Sequence, residues 1–340
     1  MSWLDFTELA KAHGDALTKA VFKAYCEDFV VEEVLGITPT EEGEHELLWV
    51  EKTGQNTAWV AKQLAAYAGI SQRQVSYCGL KDRQAVTRQW YSLHLPGKQG
   101  PDWQQLNLDG INIKQVVRHQ RKLARGCHAG NRFVIRLREC QVDENQLVER
   151  MSRIQTQGVP NYFGTQRFGH DNNNLTRANQ WFAGEWRPKR NQQDIYWSAA
   201  RAYVFNKVLN FRVENNLWAE LIAGDVLQFN DSNTLILPDK IDDAAKKKWQ
   251  QAELITTGPL WGKGRLLSEM QTAEIETKLA AEEQLLTEGI VSGGVAMARR
   301  SLVVYPQQLA WQQEQDSIEV SFYLPKGAYA TAVVRELVDW

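Results

Sequence analysis

SLVVYPQQLAWQQEQDSIEVSFYLP (301–325) decides how this chain is organised. Its two runs of β-branched and aromatic residues, SLVVYP (301–306) and SIEVSFYLP (317–325), restore strand character after a long helical stretch. Upstream, helical spacing predicts helices over 143–156, 172–183, 191–215, 243–254 and 272–286, interrupted by a hairpin-like DVLQFNDSNTLIL (225–237). Within them SAARAYVFNKVLNF (198–211) reads as strongly amphipathic. Further upstream the texture is that of strands. DFVVEEVL (28–35), ELLWVEK (46–52), 75–78 and 89–95 are β-type, and NRFVIRLR (131–138) alternates. In that last run Asn131, Phe133, Ile135 and Leu137 share one face, and Arg132, Arg136 and Arg138 the other. One early helix is expected, with Asn56 as N-cap and Trp59, Val60, Gln63, Leu64 and Tyr67 at helical spacing up to Gly69. A closing helix is expected around 328–337. Strands, then helices, then strands predict an α+β protein. Its β-rich domain, 1–156 and 304–340, is interrupted by a mainly helical insertion, 157–303. SLVVYP and SIEVSFYLP are expected to complete the first domain's sheet.

A chain of 340 residues accommodates about two domains. No apolar run reaches the ~20 residues needed to span a bilayer. MSWLDFTELAKAHG (1–14) has an early acid and no apolar run before a cleavage site, so no signal peptide is expected. Cys26, Cys78, Cys127 and Cys140 are far apart in sequence and form no CxxC. That speaks against a structural zinc and for a reducing, cytoplasmic compartment. No repeat, P-loop, GxGxxG, HExxH or GxSxG occurs.

The net charge of −2 is not that of a typical nucleic-acid binder. The distribution matters more. Between Lys114 and Arg138 stand eight Lys/Arg and no acid, whereas acids gather at 41–46 and 274–288. A basic stretch on a mildly acidic protein fits a focused polyanion site, although charge alone favours a solvated face. His119 and His128 lie in this stretch and add to its polarity.

One short segment has catalytic character: Cys78-Gly79-Leu80-Lys81-Asp82-Arg83. An aspartate flanked by two cations is held ionised, which suits a nucleophile better than a general acid. By itself it reads equally as a turn aspartate.

The wider string GLKDRQAVTRQW (79–90) closely resembles the signature of the TruD family of pseudouridine synthases, and NYFGTQRFG (161–169) its second signature. EDFVVEE (27–33), GNRFVIRLR (130–138), SAARAYVFN (198–206), GPLWG (258–262), RRSLVVYP (299–306) and LPKGAYATAVVREL (324–337) follow the family's order over nearly the whole chain. The resemblance implies a pseudouridine synthase core with a mixed or antiparallel sheet and an inserted helical TRUD domain. It implies a cofactor-free enzyme without a metal, acting on tRNA, in bacterial members at uridine 13 of the D-arm. Asp82 is then the nucleophile, whether at C1′, at C6 or through a glycal. Phe29, Phe133 and Tyr329 would line the base pocket, with Asn131 bonding the uracil edge or the Asp82 loop. Lys23 would contact phosphate or the catalytic loop, Arg83 would pair with Asp82 or a flanking phosphate, and Arg167 would contact a flanking phosphate. Arg118, Arg121, Lys122 and Arg125 are placed to hold the RNA backbone. A monomer is expected. The alternatives are a non-catalytic RNA-binding protein on the same fold, or a metal-dependent RNA nuclease. The latter would want clustered carboxylates, and Asp82 has no acidic neighbour nearer than Asp102.

Overall fold

The computed structural model describes residues 3–340, so the first two residues of the N-terminal segment read above lie outside it. It divides the described residues into two compact units, one of 16–149, 306–327 and 337–340, the other of 3–15, 150–305 and 328–336.

The first unit is built on a mixed sheet. Its long strands are β1 (Phe29–Leu35), β2 (His45–Thr53), β3 (Val86–His94), β4 (Ile111–His119), β5 (His128–Arg138), β6 (Gln307–Glu314) and β7 (Ser317–Pro325). Their spatial order is β6-β7-β5-β1-β3-β2-β4. All neighbours are antiparallel except β1 and β3, which run parallel. The expected strands are present, and SIEVSFYLP joins the sheet from the far end of the chain. The basic stretch conceals a strand that periodicity did not show: β4 is mostly polar, because it is an edge strand. Helix α1 (Thr57–Tyr67) follows Asn56 as expected, although the Asn56 side chain makes no cap bond. Val60, Ala61, Leu64 and Ala65 of α1 pack on Leu48 and Val50 of β2 and Tyr91 and Leu93 near the end of β3.

Register decides what stands beside that apolar patch. Lys52 pairs with Thr87, Val50 with Gln89, Val31 with both Thr87 and Phe133, and Glu33 with Asn131. Paired residues share a face. Beyond the end of α1, then, one sheet face turns polar: Lys52, Thr87, Gln89 and Glu33 are all buried there.

The second unit contains α2 (Glu144–Gln157) from Arg150 onward, α3 (Asn173–Phe182), α4 (Gln193–Glu214), α5 (Asp243–Gln250), α6 (Met270–Ala281), α7 (Gln284–Ser292) and the short α8 (Ala330–Val334). The 272–286 pattern is thus two helices. The hairpin read at 225–237 forms as Leu227–Phe229 and Leu235–Ile236, extended by Leu254–Leu260 and Ala298–Ser301 into a four-stranded sheet. Helix α4 is not amphipathic in the way its sequence suggested. Residues on all its sides are buried, from Ala199 and Tyr203 to Asn210 and Arg212, because helices and sheet surround it. Arg212 is satisfied by Asp225 at 2.6 Å.

Two expectations about the ends need correction. SLVVYP does not extend the large sheet: Val303–Val304 pairs with Val159–Pro160 in the second unit. The segment 3–15 and the closing helix also group with that unit, since Phe6, Leu9 and Tyr329 pack with Tyr162, Phe163 and Val303. Burial of these apolar side chains, which alternation cannot assign to a partner, is the cause.

Candidate active site

The loop Gly79–Gln84 crosses the polar end of that sheet face, between the short strand Val75–Tyr77 and β3. Nearly every residue of it is anchored. Gln89 Nε2 donates to the Gly79 carbonyl at 3.1 Å, and the Lys81 N–H donates to Thr57 Oγ1 at 3.0 Å. Thr57 Oγ1 in turn donates to Gln89 Oε1 at 3.0 Å. Lys52 Nζ donates to the Asp82 carbonyl at 2.7 Å, and Arg83 Nε to the Gly54 carbonyl at 3.1 Å. A side chain on such a loop is held in place before substrate arrives.

Asp82 receives Lys23 Nζ on Oδ2 at 2.5 Å, with the two side chains 24% and 19% exposed, so the carboxylate stays accessible. Lys23 itself has φ +58°, a left-handed conformation uncommon for a residue with a Cβ. Gln84 Nε2 holds it by donating to the Lys23 carbonyl at 2.8 Å. The cations flanking Asp82 in sequence play other parts. Lys81 turns inward to Glu33 at 2.7 Å, where both side chains are buried, and Arg83 bonds backbone. The expectation that these two hold the carboxylate is corrected: a tight turn sends consecutive side chains in different directions, and Lys23 arrives from far upstream. Lys52 was missed altogether. It reads as a polar residue in a strand, yet it is fully buried, and burial lowers its pKa to about 8 despite the neighbouring Asp82 charge.

Phe29 and Phe133 are buried, with ring centroids 6.0 Å apart, and Phe133 also packs on Phe322 at 5.5 Å. The Lys23 ammonium lies 3.7 Å from the Phe29 centroid. Asn131 follows on the same face as Phe133, as alternation predicted, and its Oδ1 is buried with no hydrogen-bond donor among the described residues. Such an atom is costly unless something donates to it.

The second unit holds the remaining expected residues. Arg167 donates to the Tyr329 hydroxyl from Nη2 at 3.0 Å and from Nε at 3.2 Å, and to Ser198 Oγ at 2.8 Å. A tyrosine hydroxyl that is half-buried asks for a partner, and Arg167 supplies it. Phe163 meets Tyr329 edge-on at 6.0 Å, and Arg300 lies 4.0 Å over the Phe163 ring. Burial lowers the Arg300 pKa to about 10.

Most of the basic stretch is neutralised in the fold. Lys114 pairs with Glu51, Arg118 with Glu46, Arg132 with Glu32, Arg136 with Glu314 and Glu319, and Arg138 with Asp28. Arg121, Lys122 and Arg125 are exposed on the β4–β5 connection and make no ion pair among the described residues. His119 is buried and accepts the Thr40 N–H at 3.3 Å, and burial lowers the His128 pKa. Cys78 and Cys127, distant in sequence, are joined as a disulfide with Cα atoms 5.4 Å apart, which corrects the inference of a reducing compartment from the separation of the cysteines. Among the described residues one group has metal-capable atoms in proximity, Glu33, Cys78 and His128. The Lys81 ammonium already neutralises Glu33, and the Cys78 sulfur is engaged by Cys127.

The family model for tRNA pseudouridine synthase D (TruD) matches this chain at residues 13–186 and 173–337. The chain belongs to the TruD family. It is 42% identical over 332 residues to the tRNA pseudouridine synthase D of Aeromonas hydrophila, covering 98% of this chain and 94% of that protein. It is 44% identical over 331 residues to that of Stutzerimonas stutzeri, covering 97% and 95%. A crystal structure of a Methanosarcina mazei protein assigned to TruD superposes with a TM-score of 0.73 at 20% identity, over 99% of this chain and 96% of the other. The fold is thus that of TruD, an α+β pseudouridine synthase fold. No helix among the described residues is long and apolar enough to cross a membrane.

Proposed function

We propose that this TruD-family enzyme isomerises uridine to pseudouridine in tRNA, at position 13 of the D-arm, with Asp82 as the nucleophile. The carrying observation is the accessible Asp82 carboxylate on Lys23, on a loop anchored to a buried polar sheet face. The isomerisation breaks the C1′–N1 bond, turns the uracil and joins C1′ to C5; C5 loses its hydrogen as a proton and N1 gains one, with no net redox change. Each route, attack at C1′, addition at C6 or removal of a ribose proton, asks for an unprotonated carboxylate, and Lys23 and Lys52 supply the positive surroundings.

The target uridine has to leave its stack, at a cost of a few kcal/mol. Stacking on aromatic side chains returns about 1–3 kcal/mol per base. Phe29 and Phe133 form the aromatic floor beside Lys23, and the unpaired Asn131 Oδ1 is an acceptor for the uracil N3–H. Arg121, Lys122 and Arg125 track the phosphates, while Arg118 is tied to Glu46. In the second unit, Arg167 and Tyr329 form a basic and aromatic pair that meets the RNA, the guanidinium toward a flanking phosphate. The first unit is the catalytic core and the second the TRUD domain. The enzyme works as a cytoplasmic monomer, where its tRNA is.

Tritium release from tRNA labelled at uridine C5 is the test, run with and without chelator. Wild type should release tritium equally in both, and Asp82→Asn should abolish release while tRNA affinity stays within a fewfold. Binding without release by wild type would leave an RNA-binding protein. Chelator-sensitive strand cleavage would leave a nuclease. Near-normal turnover by Asp82→Asn would remove Asp82 from the role.

A further inference from the structure

The second unit carries an aromatic and basic surface that none of the roles above uses. It lies in WFAGEWRPKRNQQDIYW (181–197), where α3 ends and α4 begins. Trp181 stands at its centre. Its ring is 5.1 Å from Phe182, 5.2 Å from Trp197 and 6.4 Å from Tyr196, and Tyr196 in turn meets Trp186 at 5.5 Å. None of these five rings is fully buried. Three of them, Trp181, Phe182 and Trp197, line an open pocket of about 490 Å³ together with Arg187 and Glu288. The far wall is α7, and it is made of glycine where the rings press: a Cβ at Gly289 would overlap Phe182, and one at Gly293 would overlap Trp197.

Two further observations say what the pocket takes. The indole N–H groups of Trp181 and Trp197 have no acceptor among the described residues, in contrast to Trp186, which donates to the Arg177 carbonyl at 3.0 Å. The connection beside the pocket holds Arg187, Lys189 and Arg190, all exposed and none in an ion pair among the described residues. The acids nearby are Glu185, Asp194 and Glu288, and Glu288 accepts from Gln284 Nε2 at 2.7 Å. Unpaired guanidinium and ammonium groups bordering partly open indole rings present what one unstacked nucleotide requires: a π-face for the base, donors for its edge and cations for its phosphates.

We propose that this pocket binds one unstacked nucleotide of the RNA, other than the uridine being isomerised. The base lies against Trp181, and Arg187, Lys189 and Arg190 meet the flanking phosphates. The inference rests on the reading of the chain as a tRNA-modifying enzyme.

The test uses the full chain and an unmodified tRNA transcript, with tritium release and equilibrium binding measured side by side over a series of salt concentrations. Replacing Arg187, Lys189 and Arg190 together with Ala touches only exposed side chains and should leave the fold intact. It should lower the slope of log affinity against log salt by about 2, at roughly 0.7–0.9 for each lost phosphate contact. Trp181→Ala should raise the tRNA Kd roughly 5- to 150-fold, the range for loss of one stacked base. Trp181→Phe, which keeps a ring, should recover most of the affinity. Wild-type tryptophan fluorescence should be quenched by tRNA, and less so in Trp181→Phe. Unchanged slope and affinity in the triple variant, in a wild type that binds and modifies tRNA, would overturn the pocket and leave the enzyme reading intact. A shift in sedimentation by the triple variant with no change in slope would do the same, assigning the surface to a second copy. A wild type that neither binds nor modifies tRNA would instead remove the reading on which the proposal rests.

Discussion

Lys23 Nζ lies 2.5 Å from Asp82 Oδ2 and 3.7 Å from the centre of the Phe29 ring, so one ammonium links the candidate nucleophile to its aromatic wall. Fifty-nine residues separate the pair in sequence, and Lys23 reaches it from a left-handed backbone. Backbone strain of about 1–3 kcal/mol is retained only where the surroundings enforce it. Here the bond from Gln84 to the Lys23 carbonyl does so.

Lys23→Met should therefore slow turnover more than it weakens binding. Losing a charge-assisted hydrogen bond is worth about 1.5–3 kcal/mol, or roughly 10- to 100-fold in kcat. Single-turnover tritium release measures this beside tRNA binding. An equal loss in affinity, with kcat unchanged, would make Lys23 a phosphate contact instead.

Lys52 gives the fold a signature in its pH dependence. Its folded pKa of about 8 lies below the unfolded 10.5, so between these values the unfolded chain binds the extra proton. Stability should then rise with pH across that window, by about 3 kcal/mol for this group alone. Urea unfolding from pH 7.5 to 10.5 should show the rise in wild type and lose it in Lys52→Met. Parallel curves for the two proteins would mean the ammonium is better solvated than its burial implies.

Asn131 Oδ1 is buried without a donor, which substrate is expected to supply. Asn131→Ala removes an unsatisfied acceptor, so thermal stability should hold or increase slightly while kcat/KM falls. One lost uracil hydrogen bond is worth about 0.5–1.5 kcal/mol, or roughly 2- to 15-fold. A large drop in melting temperature with unchanged kcat/KM would mark Asn131 as structural.

Replacing Arg121 and Lys122 with Ala should weaken binding of all tRNAs alike and lower the salt slope by nearly 2, because neither is tied to an acid in the fold. Arg118→Ala makes the contrast. Its guanidinium is engaged by Glu46, so the slope should change little. Equal effects from both variants would contradict this division of the basic stretch.

Excising 165–295 should not leave a soluble core. Phe6, Leu9, Tyr162, Val303 and Tyr329 share their packing with Phe168, Leu175, Tyr203 and Phe205 of the excised block, and would be stranded. Aggregation on expression is the expected outcome, read by size-exclusion chromatography. A monodisperse, protease-resistant product would show that 3–15 and 328–336 do not depend on that block.

What the sequence by itself determined was what repeats locally. Alternation placed Asn131 and Phe133 on one strand face, helical spacing found α1 to α4, and the GLKDR and NYFGTQRFG strings carried the family. A pleat or a helical turn imposes its period on consecutive residues, so such features are written in order along the chain. Only the tertiary structure decided which charges remain available. It paired Lys81 with Glu33 and Arg138 with Asp28, brought Lys23 and Lys52 to Asp82, and set Cys78 beside Cys127. It also gave Val303–Val304 and the chain ends to the second unit. These outcomes depend on strand order, register and the burial of apolar surface between distant segments, and such pairings have no period for a linear reading to detect.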